Sequence, residues 1–186
     1  LLCLTVVLEG IFSGGVFIGS ASRPTYTYNS ILDLEDRIED DSVYRVKNQK
    51  KYFDVNLVGA LGYNTLNHYT SLTSKDFMYT MKKLGYSSYW MEVGSQGGTL
   101  LSDFLMANKY TILQNSDLEG NSHFTYINSG YTILQNPSIS SFGVVFSPDD
   151  ISQLEKLPDI SRMDLQNYLF QTIFSTSQNL VTAYPR

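Results

Sequence analysis

The sequence predicts an α+β domain: a mixed, largely antiparallel sheet with short flanking helices. Three observations predict it. Runs such as VYRVK (43–47) and KYTIL (109–113) are short and rich in β-branched and aromatic residues, as strands are. Between them lie helix-period runs too short for a bundle, one of them closed by Gly85. Hydrophobic content of 42% against 17% charged residues suffices for one packed core, and 186 residues suit one domain.

In chain order, the opening LLCLTVVLEGIFSGGVFIGS holds a single charge, Glu9. A spanning helix needs about 20 apolar residues. A carboxylate at the bilayer centre costs about 3 kcal/mol. Residues 1–22 therefore read as the remnant of a transmembrane helix and its exit segment, with Glu9 near the interface. The competing reading is a core helix or strand. Gly10/Gly14 and Gly15/Gly19 would allow close helix packing, although four glycines weaken a helix. Residues 23–186 form the domain. Residues 21–30 read as a linker. Asn29 or Ser30 then caps a short helix with Ile31, Leu34 and Ile38 inward and acids outward. VYRVK is a strand, and 52–61 a second strand or extended segment. Ser74 caps a helix burying Phe77, Met78, Met81 and Leu84, which Gly85 ends. SSYWMEV (87–93) reads as a strand and SQGG (95–98) as a loop. Thr99 opens a short helix with Leu101, Phe104 and Leu105 inward. KYTIL follows. HFTYIN (123–128) and YTIL (131–134) flank a Ser129-Gly130 turn. FGVVFS (142–147) is a strand, Ser147-Pro148-Asp149-Asp150 a helix start, and 163–174 a last helix. YTILQN occurs at 110–115 and again at 131–136, which reads as two similar strands pairing in one sheet.

The net charge of -5 excludes general nucleic-acid binding, which needs a basic face. One cysteine, Cys3, permits no internal disulfide. Two histidines, His68 and His123, with Cys3 make no recognisable zinc spacing, and no metal or other cofactor is expected. No nucleophile elbow, P-loop or dinucleotide fingerprint is present. The carboxylates at 33–41 and Asp149-Asp150 read as a solvated helix face and a helix N-terminus, so no catalytic residue is assigned. Arg45, Lys47, Lys50 and Lys51 read as charge balance between neighbouring surface elements, with a contact for anionic lipid or polyphosphate as the alternative. Aromatic residues are abundant: 14 Tyr, 10 Phe and one Trp. Rings stack on sugars, and they also fill half-buried sheet faces. Tyr63, Asn64, His68, Tyr69, Tyr89 and Trp90 are the candidate glycan-binding residues.

Several motifs occur in a familiar order: Tyr44-Arg45, Asn56 with Gly62, HYTS (68–71), KKLGY (82–86), GGTLLSDFLMANKYTI (97–112) and QNPSISSFG (135–143). In this order the chain resembles, over about residues 5–175, the large extracytoplasmic domain of YfhO-type bacterial membrane proteins. The resemblance implies a multi-spanning, lipid-linked glycosyltransferase that moves a sugar from an undecaprenyl-phosphate carrier to a cell-envelope polymer such as teichoic acid. It implies that 23–186 lies outside the cell membrane and that the catalytic carboxylate lies in another loop of the parent. The implied partners are the rest of its own membrane-spanning chain and the cell-wall polymer or polyprenyl-phosphate sugar. The rival expectations are a non-catalytic binding or structural module of the envelope and a free-standing soluble enzyme.

Overall fold

The structure is a computed structural model that describes residues 2–21, 25–118, 130–139 and 159–182. The strands expected over 123–128 and 142–147, the turn residue Ser129 and the helix start at 147–150 lie outside the described residues.

The apolar lead forms one continuous helix, α1 (Leu2–Ala21), despite its four glycines. At about 1.5 Å per residue it is about 30 Å long. It is long and apolar enough to cross a membrane by length and composition. None of its large apolar side chains is buried in the domain, which removes the core-helix reading.

The next helix, α2 (Thr25–Leu32), occupies most of the expected linker and ends where a helix was expected to begin. The expected apolar stripe survives the shift. Ile31 and Leu34 are buried, and Ile38 packs against them from the turns that follow.

Three strands make the first sheet: β1 (Arg45–Asn48), β5 (Asn108–Gln114) and β6 (Tyr131–Gln135), with β5 central. β1 runs parallel to β5, and β6 antiparallel. The two YTILQ copies pair with each other. Tyr110 faces Gln135, Ile112 faces Ile133 and Gln114 faces Tyr131, a local two-fold through the Ile112–Ile133 pair. Residues directly opposite share a face, so this row supplies Ile112, Tyr131 and Ile133 to the core.

Residues 52–61 are neither strand nor extended. They turn into a short helix, α3 (Leu57–Ala60), because Val55, Val58 and Leu61 are buried at a spacing of three, a helical period.

The second sheet holds β2 (His68–Tyr69), β4 (Glu92–Gly97) and β3 (Tyr86–Tyr89), with β4 central and all pairs antiparallel. The run 87–93, expected as one strand, is a hairpin. It turns at Trp90, whose φ of 56° is left-handed. Helix α4 (Lys75–Lys83) leads into it. Ser74 Oγ accepts from Phe77 N at 3.3 Å, and Gly85 ends the turn at φ 92°. Met81 and Leu84 are buried while Phe77 stays 37% exposed, so the apolar face is narrower than its sequence suggests. Ser95, Gln96 and Gly97, expected in a loop, complete β4. Gly97 and Gly98 cross the end of α4 with positive φ, and Gly98 N donates to Gly85 O at 2.9 Å. This close approach excludes side chains.

Thr99 caps α5 (Leu100–Leu105) through a reciprocal pair with Ser102, as a capping box does. Leu101 is buried, whereas Phe104 and Leu105 are half-buried. The last helix, α6 (Arg162–Phe174), starts at Ser161 and buries Leu165 and Leu169. One apolar cluster lies under the first sheet, around Leu34, Val46, Val58 and Ile112. A second joins α4, α5, α6 and the second sheet around Met81, Val93, Leu101 and Leu165.

Candidate binding surface

The basic residues singled out in the sequence are each engaged by a partner elsewhere in the fold. Lys47 Nζ lies 2.6 Å from Asp103, Lys50 2.5 Å from Asp117 and Lys51 2.7 Å from Glu92. Arg45 Nη1 donates to Met106 O at 2.7 Å, and burial lowers its pKa. The charge-balance reading of this patch holds, but the partners are remote in sequence rather than in the neighbouring acidic segment. From that segment Asp40 turns to Lys109 at 2.6 Å and accepts from Tyr110 at 2.7 Å. Lys109, Ser42 and Tyr110 hold its carboxyl well below the usual carboxylate range.

Where the two sheets meet, β1 and β4 form a buried polar seam. Lys47 donates to Asp103 and to Gly97 O at 3.0 Å. Tyr86 and Asn108 donate to the other Asp103 oxygen at 2.9 and 3.0 Å. Burial first, then Asp103, pushes the Tyr86 hydroxyl far above its ordinary pKa. A carboxylate held by an ammonium and two neutral donors is poorly placed as a general base. Among the described residues no group of three His, Cys, Asp or Glu converges on a metal position.

The candidate glycan residues separate into three places. Tyr63 is buried in the first cluster. Its hydroxyl donates to Leu34 O and accepts from Arg37 N at 2.9 Å, and burial raises its pKa. It is a core residue and presents nothing to a ligand. Asn64 is exposed beside Tyr44, Arg45 and Thr65 in a shallow cleft of 410 Å³. The other four meet at one end of the second sheet. Tyr69 and Tyr89 both pair with Glu92, one from each side, so the three form a cross-strand row. Tyr89 is 79% exposed and Trp90, next in the turn, is 67% exposed. Tyr69 meets Trp90 edge-on at 6.3 Å. His68 lies behind the row. Its ring nitrogens are 3.1 Å from Leu66 O and 3.2 Å from Thr73 Oγ1, and its ring is 5.8 Å from Phe77. Its ring is held by the Leu66–Thr73 segment and Phe77, and it is half-buried.

The structure adds residues that the sequence reading passed over. A groove of 340 Å³ runs beside Trp90, lined by Thr73, Lys75, Met78, Tyr79 and Lys82. The i, i+4, i+7 spacing of Lys75, Tyr79 and Lys82 was visible as one stripe of a helix.

An α+β domain preceded by one helix apolar enough to cross a bilayer fits the class of membrane-associated domains. The family described as bacterial membrane protein YfhO matches residues 10–186. The chain belongs to that family, and with it to the membrane proteins. No curated protein and no solved structure matches the chain.

Proposed function

We propose that this chain is an extracytoplasmic accessory domain of a polytopic membrane glycosyltransferase. The parent would transfer a sugar from an undecaprenyl-phosphate carrier to a cell-envelope polymer such as teichoic acid. The domain would hold the glycan while catalysis takes place in loops of the parent outside this chain. The observation that carries the reading is the exposed row of Tyr69 and Tyr89 with Trp90 beside it. Exposed rings fixed on a sheet end stack on sugar faces at little entropic cost, because the backbone beneath them is already ordered. Family membership supports the membrane context, and the engagement of Asp103 and Asp40 by lysine and tyrosine donors supports a holding rather than a catalytic role.

Trp90 is the sole tryptophan, so its emission reports on this surface directly. Titration with teichoic acid fragments should shift that emission, and Tyr69→Ala with Tyr89→Ala should abolish the shift. Unchanged emission and unchanged NMR amide shifts at millimolar fragment would sink the glycan reading.

A further inference from the structure

The described lysines divide sharply. Lys47, Lys50, Lys51 and Lys109 each hold a carboxylate. Lys75, Lys82 and Lys83 have no carboxylate within ion-pair reach among the described residues, and all three belong to α4. The helix carries one acid, Asp76, so its charge is +3 - 1 = +2 in a chain of net -5. Large apolar side chains are exposed on this helix, just before it in the chain and in the adjoining groove. Leu72, in the loop before α4, is 91% exposed, Tyr79 is 55% exposed and Trp90 is 67% exposed. Lys75 Nζ lies 5.5 Å over the Tyr79 ring, and Trp90 lines the same groove as Lys75 and Lys82.

A leucine in water gains nothing there, and tryptophan and tyrosine with flanking lysines are the side chains that settle at lipid headgroup level. We infer that the α4 face formed by Leu72, Lys75, Tyr79, Lys82, Lys83 and Trp90 rests on the surface of an anionic bilayer. Charge complementarity selects this occupant. The unpaired ammonium groups meet lipid phosphates, while Leu72 and the ring edges enter the interface. The chain belongs to a membrane-protein family, and α1 is able to anchor it, so the local concentration of bilayer is high and a small patch suffices. The contact orients the aromatic row beside the membrane. It stands whether or not that row holds a glycan.

The test uses the full chain in nanodiscs and reads Trp90 quenching by a nitroxide on the lipid headgroup. Phosphatidylglycerol discs should quench Trp90 several-fold more than phosphatidylcholine discs, and salt near 0.5 M should remove most of the difference by screening. Leu72→Ser, or Lys75→Gln with Lys82→Gln and Lys83→Gln, should reduce quenching to the phosphatidylcholine level with far-UV circular dichroism unchanged. Equal quenching in both lipids, or quenching that ignores these substitutions, overturns the inference. Glycerol-phosphate oligomers added to the same variants separate the two proposals. Variants that leave the lipid and still respond to oligomer support both. In the unsubstituted chain, phosphatidylglycerol-dependent quenching with no oligomer response supports the membrane contact and overturns the glycan platform.

Discussion

Removing Asp103 should destabilise the fold far more than removing its partner Lys47. Both side chains are largely buried, at 14% and 7% exposure. Asp103→Ala leaves the Lys47 ammonium with one neutral acceptor, Gly97 O, and leaves the Tyr86 hydroxyl without its acceptor. Breaking a buried pair by deleting one ion costs about 3–5 kcal/mol, and an orphaned buried hydroxyl adds about 1 kcal/mol. The expected loss is about 4–6 kcal/mol, a large share of a domain's stability. Lys47→Met removes an ammonium but leaves the Asp103 carboxylate with Tyr86 and Asn108 still donating. That carboxylate is also at the first turn of α5, where the helix dipole favours it. A loss of about 1–3 kcal/mol is expected. The double variant Lys47→Met/Asp103→Leu replaces the ions by apolar groups and should be less damaging than Asp103→Ala alone. Urea unfolding in mild detergent, followed by far-UV circular dichroism, measures all three. A Lys47→Met cost equal to or above that of Asp103→Ala, or strictly additive costs, would refute the argument.

Gly97→Ala would place a Cβ 2.5 Å from the Gly85 carbonyl oxygen at φ 82°, against the Gly85–Tyr86 backbone. It should cost about 2–4 kcal/mol in the same assay, whereas Gly59→Ala, whose nearest neighbour is Thr65 Cγ2 at 4.0 Å, should be neutral or stabilise by up to about 1 kcal/mol. Stability should plateau between about pH 5 and 9. Asp40 is held down by Lys109, and Asp117 by Lys50 and Tyr52, so their contribution is whole above the ordinary carboxylate pKa near 4 and is lost as pH falls below it. Tyr52 and Tyr110, pushed up to about 12 first by burial, contribute below their ordinary pKa of about 10, and that contribution disappears as pH rises from there through about 12. A urea midpoint that stays flat from pH 9 to 12 would contradict the alkaline limb. Trp90→Gly should leave stability within about 1 kcal/mol, because glycine relieves the left-handed φ of 56° at an exposed site; a larger loss would show that the ring is structural.

What could be read from the sequence was what its residues settle among near neighbours. Ser74, Gly85 and Thr99 mark helix ends through bonds made within one turn, and the structure places those ends within a residue. The YTILQ copies pair because the same alternation serves both strands. The misses share a different cause. The hairpin at Trp90 was hidden because neither Trp90 nor Met91 is a turn former, so the left-handed turn is imposed by the pairing of β3 with β4. Residues 52–61 alternate well enough for a strand, and only burial against α2 and β1 selects the helical period. The seam could not be foreseen, since Lys47 and Asp103 lie in elements that the chain joins only through the fold. The same logic explains the candidate surface. Tyrosine is equally suited to a core and to a wet face, so composition could not separate Tyr63, whose hydroxyl meets the backbone of Leu34, from Tyr89, which meets water. Trp90 differs in kind. A large apolar ring held exposed on a strained backbone gains little for folding, and positions of that sort point to contact with something outside the chain.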